Sequence, residues 1–313
     1  MPTSTDPAAE TSSPASASPA SEDSPSLTGL LSALCAFTFW GVLPLYWKAL
    51  VTVDSFEIMC HRIVWSFLTL LPFMFFQGRF GLVLTFLKNK ANALTLIGSS
   101  CILAGNWYLY IWAINTGRVL EASLGYFINP LVNILFGIII FREKTGRVVR
   151  LAIAIAAAGV AYQVVVLGQP PIVPLALAVS FGVYGLIRKV MQLPSLPGLF
   201  MESLFVMPFA GAYIFWQWRL GNSPIFSGDH ALDLLLMGTG LVTSFPLLCF
   251  AYGARRIRMT TLGLLQYANP TIVFLLGIFV YHEPFSVDSL ITFACIWTAL
   301  ALYTWETIRN RRW

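Results

Sequence analysis

The groups in this chain best able to do chemistry are polar and charged residues set inside apolar runs. Asn129-Pro130 interrupts the run 119–141, and Asn269-Pro270 interrupts 260–281. Proline has no backbone N–H, so Pro130 leaves the carbonyl of Tyr126 without its helical partner. Tyr126, Asn129 and Asn133 then share one helical face, and Gln266 precedes Asn269 as Tyr126 precedes Asn129. A polar face at membrane depth suits a lining of a pathway; the plainer alternative is a kink packed by its neighbours. His61 and Arg62 lie one turn inside another apolar run, and Glu202 stands at the corresponding place in the second half of the chain. Opposite charges near opposite mouths would suit gating at alternating faces. The alternative for Arg62 is a side chain that snorkels to the interface, helped by Glu57. Glu121 reads either as an ion pair with Arg118 or as an acid that couples proton movement, a role also open to Glu202. Glu143 and Glu283 close the repeated helices and are expected to fix helix ends. Trp40, Asn106, Trp107, Tyr110 and Tyr184 complete the substrate-binding candidates as a wall suited to amphipathic cargo; packing or lipid contact explains any single ring as well.

The elements that must position these residues follow from composition. The 313 residues are 57% hydrophobic and only 11% charged, with mean hydropathy +0.74, whereas soluble domains carry about 25% charged residues. Ten apolar spans are expected at 28–47, 57–76, 93–114, 119–141, 148–167, 171–187, 199–217, 231–254, 260–281 and 287–305. Each is close to the ~20 residues that cross a bilayer as helix. Residues 77–92 read as an interfacial connector. Residues 1–26 are rich in Ser, Ala and Pro, carry no Lys or Arg, and are expected to form a disordered cytoplasmic tail. If the N-terminus is cytoplasmic, the outer loops hold only Lys48, Arg118 and Arg219. Arg62 lies within a span, and every other Lys and Arg falls on the inside, including the basic end 309–313. That bias places both termini in the cytoplasm and explains the net charge of +5 without a nucleic-acid partner.

The chain also repeats itself. Arg118–Glu143 aligns with Arg258–Glu283 without gaps, matching Arg118, Asn129, Pro130, Gly137 and Glu143 to residues 140 positions later. Two five-helix units, 27–167 and 168–308, are expected. An odd number of crossings turns the second unit upside down. The fold class is therefore an all-α polytopic membrane protein of ten transmembrane helices in a 5+5 inverted repeat, an arrangement typical of secondary transporters. In the fifth helix the small residues 152–159, AIAIAAAG, assign that helix and the tenth to scaffold or homodimer contact.

The stretches FWGVLPLYWK (39–48), HRIVWS (61–66), NWYLYIWAINTGRVLEASLGYFINPLVN (106–133) and VSFGVYGLIRK (179–189) resemble the RarD family of EamA-type permeases, in the drug/metabolite transporter superfamily. The resemblance covers nearly all of the chain after residue 27; the acidic N-terminal tail departs from it. It implies an inner-membrane permease. With the inverted repeat, the expectation is a secondary transporter that moves small organic metabolites or drugs by alternating access, as an exporter, with no cofactor and no metal. The family's usual name links it to chloramphenicol sensitivity.

Rival classes have less in their favour. No G-x-x-x-x-G-K-[ST] motif is present for an ATP-driven pump. A membrane-embedded enzyme acting on lipid or isoprenoid would need clustered acids or histidines, yet His61, His230 and His282 are scattered, and neither H-E-x-x-H nor G-x-S-x-G occurs. A non-transporting adaptor has no need of an inverted repeat. The five cysteines form no C-x-x-C pair and are expected to be buried free thiols.

Overall fold

The computed structural model describes residues 26–116, 118–168, 170–280 and 287–310. The tail before Ser26, the His282 and Glu283 positions and the last residues of the basic end lie outside the described residues. Among those described, every regular element is helical. They are α1 (Leu27–Val42), α2 (Pro44–Lys48), α3 (Ser55–Phe76), α4 (Phe80–Leu87), α5 (Lys90–Asn115), α6 (Val119–Ile139), α7 (Arg147–Leu167), α8 (Ile172–Val190), α9 (Ser195–Arg219), α10 (His230–Ala254), α11 (Met259–Gln266), α12 (Ala268–Phe279) and α13 (Val287–Asn310). Seven described stretches are long and apolar enough to cross a membrane: Leu27–Lys48, Ser55–Phe76, Arg147–Val166, Ile172–Val190, Ser195–Arg219, His230–Ala254 and Met259–Leu276; Leu124–Ile139 and Leu290–Glu306 are shorter apolar helices. The connector expected at 77–92 contains the short α4.

Local chemistry sets the ends. The side chains of Ser26, Asp54 and Asp229 accept backbone N–H groups of the first turns of α1, α3 and α10, satisfying donors that a helix leaves free. Two expected spans are broken rather than continuous. Pro44 cannot donate to extend α1 and instead opens α2. Pro270 cannot donate to Gln266, and the ninth span divides at Tyr267 into α11 and α12. Pro130 withholds the same bond, yet α6 runs through it.

Elements 140 residues apart pack in matching ways. α1 packs on α10, as α8 packs on α5; α6 packs on α8, as α11 and α12 pack on α1; α3 packs on α10, as α9 packs on α5. Three pairs join an element to its own equivalent, and each is antiparallel. Gly137 approaches Thr260 while Pro130 approaches Gly263, so α6 and α11 run in opposite directions. A Cβ on Gly263 would overlap the Pro130 carbonyl oxygen, so only glycine permits this approach. Phe67 stacks on Phe200 with centroids 5.0 Å apart, and Phe56 meets Tyr213 at 4.7 Å, opposing α3 and α9. Tyr162 donates to Asp288 at 2.6 Å while Gly159 faces Cys295, opposing α7 and α13. Buried Ala152 and Ala156 place the small face of α7 in one core with Ile296 and Ala299 of α13.

The outer surface is apolar, with Phe76 85% and Val165 and Phe209 each 77% exposed. Such a surface suits lipid, because tails rather than water complete it. It also corrects one expectation. The cysteines are free, but only Cys60 is buried; Cys35 and Cys101 are exposed, and Cys249 and Cys295 are intermediate. Spans of uniform hydropathy do not reveal which side faces the lipid.

Candidate functional site

Ser223, in the loop before α10, donates to Glu57 in the first turn of α3 at 2.6 Å, so both helices begin at one end of the bundle. Arg62 lies seven residues after Ser55, about 10 Å along α3 at 1.5 Å per residue. Its Nε donates to Thr243 Oγ1 at 3.1 Å. Thr243 is thirteen residues into α10, about 20 Å along it. The guanidinium therefore reaches inward, away from the nearer mouth, the reverse of a snorkelling geometry. Its carbon lies 4.9 Å from the Trp47 ring centroid and 4.7 Å from that of Trp107. The phenols of Tyr110 and Tyr126 lie within electrostatic range of it, and the two rings meet edge to face at 5.8 Å. Arg62 has no carboxylate within 4.0 Å among the described residues. Tyr126 is 40% exposed, and Arg62, Trp47, Trp107 and Tyr110 are half-buried. Glu57, the expected helper of Arg62, turns instead to Ser223 and lies 3.9 Å from His61 Nε2. His61 is buried and accepts the Trp65 indole N–H at Nδ1, 3.2 Å away.

Glu202, seven residues after Ser195 on α9, is enclosed. Ser99 donates to its Oε1 at 2.5 Å and Tyr184 to its Oε2 at 3.3 Å. Arg188 Nη1 lies 3.7 Å from Oε1, both side chains being buried. A Cβ on Gly198 would overlap the Arg188 guanidinium, so glycine there makes room for the ion pair. Nearby, Lys189 donates to the carbonyls of Ala254 and Ile257, and Arg255 to that of Leu193. Glu143 accepts the backbone N–H groups of Met259 at 2.7 Å and Thr260 at 2.9 Å. An acid from the end of α6 thereby caps α11, where the helix dipole favours negative charge.

Between these two places lies a cavity of about 20 Å³, room for one water. It is lined by Ser66, Ser100, Trp107, Glu202, Ser203 and Leu247, among others. Ile63 with Ser203, Ser66 with Val206, and Trp107 with Leu247 are pairs 140 positions apart that all face it. The cavity thus sits on the axis relating the two halves. Trp107 both lines it and covers Arg62.

The asparagines form a separate cluster. Asn133 Nδ2 donates to Gln266 Oε1 at 2.7 Å and to Asn129 Oδ1 at 3.2 Å, Gln266 Nε2 donates to Asn129 Oδ1 at 2.6 Å, and Asn129 Nδ2 donates to the Ala178 carbonyl at 3.0 Å. These amides tie α6 to α11 and α8. Asn269 is buried on α12, and no residue of either Asn-Pro pair lines the central cavity. The face predicted on α6 therefore divides, with Tyr126 beside Arg62 and the asparagines in the helix junction. Asn106 donates to the Leu177 carbonyl and to Ser180 Oγ, both at 2.9 Å. Trp40 and Tyr184 belong to one aromatic cluster with Phe181 and Phe250, with neighbouring centroids 5.3–6.1 Å apart. Glu121 pairs with Arg118 at 3.2 Å. Among the described residues, no three His, Cys, Asp or Glu side chains gather as a metal would require.

Sequence reasoning passed over Trp47, Thr243, Ser99 and Arg188. Arg188 was counted with the inside charges, and only the fold brings it to Glu202. Ser99 and Thr243 are polar residues inside apolar spans, a signal present but weak.

Comparison with known proteins follows the same outline. The EamA-like transporter family model matches residues 27–165 and again 171–305. The chain is 44% identical over 287 residues to the "Uncharacterized transporter YojE" of Bacillus subtilis (strain 168), covering 91% of this chain and 96% of the relative. It is 40% identical over 284 residues to "Protein RarD" of Escherichia coli (strain K12), covering 91% and 96%. A solved structure described as "Crystal structure of protein" shares the fold with a TM-score of 0.69 at 20% identity, covering 90% of this chain and 98% of that one.

Proposed function

The chain belongs to the EamA-like transporter family, within its RarD-type drug/metabolite permeases, and from that premise we propose that it is a secondary carrier of small organic solutes working by alternating access. Ten helices in two inverted five-helix halves would form it, in the inner membrane with both termini cytoplasmic. The observation that carries this reading is the antiparallel packing of equivalent elements around a small cavity on their shared axis, mostly apolar but reached by Ser66, Ser100, Ser203 and Glu202. A two-fold axis across helices that cross a membrane lies in the membrane plane, and it gives one site two equivalent routes of access. The α9 end holds the buried Glu202–Arg188 pair and the Glu143 cap, whereas Arg62, Trp47, Trp107 and Tyr110 are only half-buried. That asymmetry fits one state of a rocking carrier.

The test is solute counterflow in liposomes containing the purified protein, with candidates drawn from a metabolite comparison of cells with and without it. Exchange without ATP is expected, and export predicts that the cargo accumulates in cells lacking the protein. A barrier to every candidate in well-folded protein would contradict the carrier reading. A pH gradient imposed on the same liposomes tests proton coupling through Glu121 or Glu202.

A further inference from the structure

We infer that the Arg62 box binds the carboxylate of a small aromatic monocarboxylic acid, and that this class of anion is the carrier's cargo; the second clause rests on the carrier reading above. Three observations support the inference. First, Arg62 is held near mid-depth by Thr243 at Nε alone, and its terminal nitrogens have no hydrogen-bond partner among the described residues. A cation in such a place, without an acid, is costly unless water or an anion completes it. Second, the rings of Trp47 and Trp107 lie within 5 Å of the guanidinium carbon, close enough for its charge to meet their π faces. The unused Nη edge then presents the planar fork that a carboxylate matches with two parallel bonds. Third, the Tyr110 and Tyr126 rings meet edge to face and Tyr126 is 40% exposed, so the aromatic wall beside the guanidinium is accessible to a flat apolar body behind a charged head.

The charge balance narrows the class. One unpaired cation neutralises a monoanion, whereas a phosphate monoester would leave negative charge in a low-dielectric site. Among the described residues no carboxylate pairs with Arg62 within 4.0 Å, so a zwitterion is a poorer match than a simple acid. The second half does not duplicate the site. Positions 140 residues from Arg62, Trp107, Tyr110 and Tyr126 are Glu202, Leu247, Phe250 and Gln266, and the acid among them already has Arg188.

The experiment measures binding of 3-phenylpropanoate, 3-phenylpropanamide and phenylalanine to the full-length protein in lipid nanodiscs, followed by quenching of tryptophan fluorescence and by thermal shift. The carboxylate is expected to bind about tenfold or more tightly than the amide, and more tightly than phenylalanine. Arg62→Gln should remove that preference, Arg62→Lys should keep part of it, and Lys88→Gln, at an exposed cation on the connector after α4, should leave it in place. Equal binding of acid and amide to the parent protein, or tighter binding of phenylalanine, overturns the inference without reference to any variant. Counterflow separates the two readings: exchange of neutral solutes but not of the carboxylate sinks the anion assignment and leaves the carrier standing. Tight carboxylate binding with no exchange of any solute keeps the site and sinks the carrier.

Discussion

Arg62 and Glu202 stand at equivalent points of α3 and α9, yet their surroundings differ in kind. The acid is fully enclosed by Ser99, Tyr184 and Arg188. The cation touches one threonine and aromatic rings, and its neighbourhood is partly open. A symmetric scaffold thus carries an asymmetric site. Backbone packing follows the repeat, while a few side chains decide which half grips charge and which half receives it. Burial explains the division, because an enclosed ion must bring its partner from the protein, whereas an open one can take its partner from solution.

Substitutions can break or sharpen this contrast. The largest effect is expected at the closed end. Arg188→Leu strands the buried Glu202 and should cost ~3–5 kcal/mol, read as thermal unfolding in detergent. Adding Glu202→Leu should recover most of that loss, and failure to recover would mean that the pair is not what the enclosure is built on. Next comes the junction between the halves. Asn133→Leu removes donors to Asn129 and Gln266 and should cost about 2 kcal/mol. Glu143→Ala uncaps α11 and should cost about 1 kcal/mol; an unchanged melting temperature would remove the cap from the account. The smallest stability effect belongs to the open end. Arg62→Gln should shift unfolding by less than about 1 kcal/mol while lowering solute flux by tenfold or more. A variant that unfolds like Arg188→Leu would show that Arg62 is structural after all.

The sequence made the helices legible because lipid demands long apolar runs, and the Arg, Asn-Pro and Glu register made the duplication legible. It could not show the break at Tyr267, because Pro130 and Pro270 look alike in one dimension and only packing separates them. Arg62 and Glu202 stood out as charges in apolar spans. Their partners did not, since Arg188 resembles an ordinary inside charge and Trp47 an ordinary interfacial ring. The Asn-Pro pairs drew attention by rarity, but Asn129 bonds Asn133, Gln266 and the Ala178 carbonyl, a matter of tertiary distance rather than spacing.

The orientation of the halves can be measured at one matched pair of positions. Thr116 and Arg256 are both exposed and lie 140 residues apart. With the native cysteines replaced, Thr116→Cys and Arg256→Cys would each be treated with a membrane-impermeant thiol reagent, in intact cells and after permeabilisation. Inverted halves predict that Thr116→Cys is labelled in intact cells and Arg256→Cys only once the membrane is opened. Labelling of both from the same side would mean that the halves run parallel, and the shared, two-sided site would be contradicted.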